Sequence, residues 1–161
     1  MFLNPGTEVF YRIYTSQEDL QNDAKSINSA NKEYSENGYK KLISLGYKEI
    51  TSKSTGVNPL IDENGGNVTI FLSTTDSESA NVSGINEVPL RYNRLPFNFD
   101  SSKTDSKVPS SNDSDFNFNS DSTSHYFVNL YAVSTGSDIA SGNFGTHSEL
   151  LSLGFLYYEA K

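Results

Sequence analysis

Two runs of β-branched and aromatic residues constrain this chain more than any other feature. They are residues 7–15 (TEVFYRIYT) near the start and residues 126–134 (YFVNLYAVS) near the end. Neither contains Gly or Pro, and both carry the residue types that pack well on a pleated surface, so both read as strands. Side chains alternate across a strand, so Val9, Tyr11 and Ile13 fall on one face and Phe10, Arg12 and Tyr14 on the other.

A helical signal follows the first strand. Ser16 is placed to cap free backbone N–H groups, Asp19 sits three residues on, and Glu18 suits the positive helix end. Leu20, Ala24, Ile27 and Tyr34 recur at helical spacing, with polar Asn31 in the same stripe. A second helical piece spans residues 37–45 and stops at Gly46, a residue that accepts the left-handed cap; residues 47–51 then return to a sheet. Residues 62–66 (DENGG) read as a turn, and residues 67–74 and 87–94 as strands. Pro89 lacks a ladder N–H, which puts the latter strand at an edge or a bulge. Residues 146–149 match a capping box, yet the same stretch also fits the start of a long last strand. The echo between LLSLGF at 150–155 and LISLGY at 42–47 favours helix, Gly cap, then strand. The expected fold is α+β: a mostly antiparallel sheet or sandwich of about five to seven strands, with a helical pair inserted at 16–45, in a single domain over 1–161.

Residues 100–124 differ in character, with nine Ser, five Asp and three Asn, and Val108 as the only aliphatic side chain. Burial there cannot offset the ordering entropy of about 1–2 kcal/mol per residue, so a wet, mobile surface loop is expected. A net charge of −8 repels phosphate backbones and anionic lipid, which disfavours nucleic acid and peripheral membrane docking. Absence of cysteine removes disulfides, thiol nucleophiles and thiolate metal sites. No apolar run approaches the ~18 residues that span a bilayer, so no membrane insertion by this segment is expected. The first residues are too short and uncharged for a signal peptide, and Met1, the sole methionine, reads as a start placed after a removed export signal.

Chemistry-bearing patterns are sparse. Asp113, Asp115 and Asp121 alternate with Asn117 and Asn119, a spacing of hard oxygens able to wrap calcium. The turn glycine and terminal glutamate of a helix-loop-helix calcium site are missing, and Asp and Asn also favour turns for backbone reasons. Calcium is the one cofactor with any pattern behind it; otherwise none is expected. His125 and His147 stand without the partners a zinc site needs. No serine occupies a G-x-S-x-G elbow, no Gly-rich loop leads into a lysine, and no catalytic residue is assigned. Arg91, Tyr92 and Arg94 cluster two scarce arginines around a tyrosine on the expected edge strand, a combination favoured at binding surfaces. Charges of this kind equally protect an edge from aggregation.

Asn4-Pro5-Gly6-Thr7 leading into Val9-Phe10-Tyr11-Arg12-Ile13-Tyr14, then a Ser/Asn-rich helix and Gly38-Tyr39 to Leu45-Gly46-Tyr47, resembles the exported surface lipoproteins of spirochaete-type bacteria over the first fifty residues or so. The resemblance implies a signal peptide and lipid-modified cysteine ahead of Met1 and a domain facing the periplasm or exterior; it carries no functional residues. The expectation is an extracytoplasmic surface or envelope protein with a non-catalytic binding or structural role and a protein or carbohydrate partner. The alternatives are a carbohydrate- or receptor-binding module of phage-tail or adhesin type, and a small hydrolase. The non-catalytic reading leans on residues 100–124 staying outside; their packing inside, or ordering around a reactive centre, would undo it.

Overall fold

The computed structural model describes residues 2–52, 61–62, 72, 89–102, 107–138 and 143–161. The two constraining runs become its central strands. β1 (Phe2–Tyr14) and β7 (His125–Asp138) pair antiparallel, with Val9 opposite Ala132, Tyr11 opposite Leu130 and Ile13 opposite Val128. A register shift falls between Leu3 and Gly6.

Three two-residue strands share the outer edge of β1. β4 (Ile61–Asp62) meets Gly6–Thr7 and β2 (Lys48–Glu49) meets Phe10–Tyr11, both antiparallel, while β6 (Phe116–Asn117) runs parallel beside Ile13–Tyr14. The outer edge of β7 is shared by β8 (Asn143–His147) and β9 (Leu151–Glu159), both antiparallel. The result is an open seven-stranded sheet, mostly antiparallel, with a second, two-stranded sheet of β3 (Thr51–Ser52) and β5 (Pro89–Leu90). This is the α+β class expected from the residues.

Helices cover one face. α1 (Gln17–Glu33) starts where expected, the Ser16 hydroxyl accepting from the Asp19 N–H at 3.2 Å, and α2 (Ser35–Ser44) ends ahead of Gly46 at φ +86°. Leu20, Ile27 and Leu42 pack there on Phe10, Tyr14, Phe127, Tyr131 and Val133. Asn31, the polar residue in the apolar stripe, receives the Leu150 N–H and donates to the Leu150 carbonyl, at 2.9 and 3.3 Å, which ties the chain before β9 to α1. Gly38 makes room for this clamp, since a Cβ there would lie 2.7 Å from the Asn31 Oδ1.

The opposite face carries no helix among the described residues. Val9, Tyr11, Ile13, Val128 and Leu130 are covered there by Ile50, Leu72, Phe97, Phe99 and Phe116. Burying each such side chain contributes about 1.5–3 kcal/mol, so irregular segments that supply one or two each can close a face.

Three expectations change. Residues 146–153 form no helix: His147 ends β8 and Leu151 begins β9. Gly154 does adopt the left-handed φ of +82° that the echo with Gly46 suggested, but within a strand, beside the irregularity opposite Leu130–Tyr131. The long free edge of β7 offers a ladder partner at every step, and tertiary pairing outweighs a local helix signal. Residues 100–124 are not wholly outside: Pro109, Asp115 and Phe116 are buried, and β6 adds a parallel rung to β1. Residues 87–94 contribute only Pro89–Leu90 as strand, followed by a turn at Tyr92–Asn93. The strand expected at 67–74 lies outside the described residues apart from Leu72, as does the 62–66 turn beyond Asp62. Among the described residues no helix is long and apolar enough to cross a membrane.

Candidate functional site

Arg91, expected at a surface, is fully buried. The turn after β5 aims its guanidinium at the segment before β6, where Nε donates to Asp115 Oδ2 at 2.8 Å and Nη2 donates to Asp115 Oδ1 and Asp113 Oδ2, both at 2.7 Å. The Tyr11 hydroxyl, from the centre of β1, donates to the same Asp115 Oδ2 at 2.5 Å and accepts the Tyr92 N–H at 2.9 Å. The Asp115 carbonyl meanwhile accepts the Ile13 N–H at 2.9 Å. One aspartate thus joins β1, β5 and the serine-rich segment.

The electrostatics are those of a lock. Burial acts to lower the Arg91 pKa, but its hydrogen bonds to Asp115 and Asp113 more than reverse it and the guanidinium stays charged. Burial raises the Tyr11 hydroxyl far above its usual range, with the Asp115 charge adding to it, so Tyr11 holds its proton and acts as a donor. Asp113 is pulled below the usual carboxylate range: burial opposes this, and the Ser110 N–H and Arg91 prevail. Part of the serine-aspartate segment is therefore packed inside, against the expectation, and what it is ordered around is the Arg91 guanidinium, held by Asp113 and Asp115.

This arrangement also redraws the calcium pattern. Asp113 and Asp115 converge, but on a guanidinium, and the cation they hold is Arg91. Asp121 stands apart, its N–H donating to Asn119 Oδ1 in a local turn. Among the described residues no three Asp, Glu or His side chains are grouped to hold a metal. Tyr92 and Arg94 do remain at the surface, half-buried and exposed respectively, with the Lys48 ammonium 5.8 Å from the centre of the Tyr92 ring. The expected trio is split: one member locks the core and two face solvent.

The helical face holds further polar pairs. His147 stacks on Tyr39 with ring centres 3.5 Å apart, and Glu36 receives its N–H at 2.7 Å while lying 3.1 Å from its Nδ1. This fixes α2 to β8. No serine hydroxyl bonds either histidine among the described residues; His125 Nδ1 instead meets the exposed Tyr157 hydroxyl at 3.0 Å. Tyr14 donates to Asp23 at 2.8 Å, its oxygen is 3.1 Å from that of Tyr47, and Asn129 donates to Tyr47 at 2.7 Å. Burial above all raises Tyr14 and Tyr47. Glu49 on β2 is pushed up to about 8, by burial first and by the neighbouring Glu8 charge second.

The long last strand that the sequence left open against a helix is β9, and what sequence reasoning missed is its exposure. It is the last strand at its edge of the sheet among the described residues, and its apolar side chains are largely uncovered: Leu151 62%, Leu153 48%, Phe155 43%, Leu156 40% and Tyr157 48% exposed. Leu156 shares a face with Val128, whereas Phe155 and Tyr157 share a face with Asn129 and Phe127. The Ala160 N–H bonds the Ser124 carbonyl towards β7, so by alternation Leu156 and Tyr158 also point their backbone groups inward. Phe155, Tyr157 and Glu159 then present theirs away from the sheet. Glu159 is the only charged residue in the nine, within a chain that is 20% charged. Gly154 interrupts this edge with its positive φ, and beyond Glu159 it is covered, the Lys161 N–H donating to the Phe99 carbonyl and the Lys161 carbonyl accepting from the Ser101 N–H; the uncharged stretch between is of the kind that proteins otherwise guard. Only this missing charge was visible beforehand.

Compared with known proteins, the chain matches no family model, no curated protein and no solved structure.

Proposed function

We propose that this chain is a non-catalytic binding or assembly module of an exported bacterial surface or envelope protein, and that it docks through the exposed strand β9. The carrying observation is a nine-residue strand, at the edge of the sheet among the described residues, with five large apolar side chains 40–62% exposed. Exposed apolar surface of this kind marks interaction sites. The polar groups sequence reasoning flagged for chemistry support the same reading, because Arg91, Asp113, Asp115 and His147 are engaged in holding elements together. The acidic, cysteine-free, Ser/Asn/Thr-rich composition suits an extracytoplasmic site. Protease treatment of intact native cells tests the placement: the chain should be cleaved without lysis, and recovery of intact chain in the cytosolic fraction overturns it.

A second reading, a carbohydrate- or receptor-binding module, is favoured by one observation: Tyr92 and Arg94 share an accessible turn beside Lys48. Glycan-array binding lost in Tyr92→Ala and kept in Leu153→Lys would select it over the edge.

A further inference from the structure

The two faces of β9 differ in composition. Ser152, Phe155, Tyr157 and Glu159 stand opposite Tyr131, Asn129, Phe127 and His125, on the face that α1 and α2 cover elsewhere. Leu151 and Leu156 pair with Ala132 and Val128 and turn the other way, as does Tyr158, whose hydroxyl meets the Leu72 carbonyl there. Apart from Leu153 at the irregularity, β9 therefore offers two rings, a hydroxyl and a carboxylate on the helical face, and no aliphatic side chain. The rings are exposed whatever pairs with the outer backbone of the strand.

Both rings are held in place. Phe127, which is buried, stands edge-on to Phe155 at 5.9 Å and 70° and to Tyr157 at 5.5 Å and 60°. The Tyr157 hydroxyl meets His125 Nδ1 at 3.0 Å. A ligand thus finds two aromatic surfaces that need little ordering on contact, which removes part of the cost of binding. The rim decides which ligand fits. Its polar groups are the Glu159 carboxylate, the His125 imidazole and the Tyr157 hydroxyl. An anion is opposed by Glu159 and by the net charge of −8. A wholly apolar partner surface would desolvate Glu159 without offering it a hydrogen bond. A neutral saccharide suits both parts, because the C–H face of a sugar ring lies on aromatic surface while its hydroxyls bond carboxylate and imidazole.

We infer that the helical face of β9 binds a neutral saccharide, its ring stacked across Phe155 and Tyr157 and its hydroxyls bonded to Glu159 and His125. The inference rests on the reading of β9 as the docking strand and names the class of partner.

An array of neutral glucose-, galactose- and N-acetylglucosamine-based oligosaccharides beside sulfated and sialylated ones tests it, with titration calorimetry on the neutral glycan retained best. Affinity should change less than about twofold between about 0.05 and 0.5 M salt, since the ligand carries no charge to screen. Phe155→Ala and Tyr157→Ala, at exposed positions, should each weaken binding at least about tenfold with an unchanged circular dichroism spectrum. Glu159→Gln should weaken it about 3–10-fold, and Tyr157→Phe, which keeps the ring, less than about threefold. Retention of acidic glycans alone, salt-sensitive binding, or binding that survives both alanine variants overturns the inference; binding lost in Tyr92→Ala and kept in Tyr157→Ala moves the glycan to the turn. No glycan retained, while benzoylphenylalanine in place of Tyr157 cross-links a protein on intact native cells, overturns the saccharide alone. Neither glycan nor cross-link overturns β9 as the docking strand as well.

Discussion

Replacing Arg91 by methionine removes the guanidinium while keeping much of its bulk, and the structure sets the cost. The Arg91 side chain is 1% exposed and that of Asp115 is fully buried, whereas Asp113 retains 23% exposure and can rehydrate. One carboxylate is therefore stranded, not two. Stranding a buried charge costs about 3–5 kcal/mol, against about 0.2–1 kcal/mol for breaking an exposed pair. Out of a total stability of about 5–15 kcal/mol that is a large share, and it corresponds to a melting point lower by roughly 6–20 °C. Arg91→Met with Asp115→Asn should recover at least about 1 kcal/mol, because Tyr11 keeps an acceptor and no charge remains inside. Guanidinium unfolding followed by circular dichroism reads all three proteins. Asp113 adds a pH signature: its depressed carboxyl stabilises the fold above the ordinary value near 4 and loses that contribution as pH falls, so the wild type should lose part of its advantage over Arg91→Met in acid. An Arg91→Met cost under about 1 kcal/mol, or a double variant as unstable as the sum of its singles, would refute the lock.

Two further outcomes follow from the helical face. Glu49 is raised to about 8, so the unfolded chain releases its proton first and stability should fall as pH rises from about 4.5 through 8, by about 1–2 kcal/mol after discounting for its partial exposure. Chemical unfolding at pH 5 and pH 8 should show this slope in the wild type and its loss in Glu49→Gln. Gly38→Ala should cost about 1–3 kcal/mol by thermal unfolding, because the new Cβ meets Asn31, whose backbone Cα is only 2.9 Å away, and Asn31 cannot retreat without releasing Leu150.

Elements built from local signals were legible in the residues. β1 and β7 announce themselves by composition, and the Ser16 cap and the Gly46 stop bracket the helical pair because capping chemistry is local. The lock was hidden for the opposite reason. Tyr11 and Asp115 are 104 residues apart and Arg91 and Asp115 are 24 apart, so nothing in their neighbours links them. A background of serine and asparagine made Asp115–Phe116 look like more of the same loop, although that pair of residues is buried. At Gly154 the backbone conformation was legible and its context was not, because a positive φ serves a helix end and a strand irregularity alike. The exposure of β9 was misjudged most. An apolar run ordinarily signals core, and only the final position of the strand turns the same residues into surface.

Amide hydrogen exchange on a dilute, monomeric sample tests the open edge most directly. Leu156 and Tyr158, whose N–H groups face β7, should be protected, whereas Phe155, Tyr157 and Glu159 should exchange at rates close to those of an unstructured chain. Equal protection at all five positions would mean that the outer side of β9 is already covered within one molecule, and the account of this chain as a module that docks by that edge would fail.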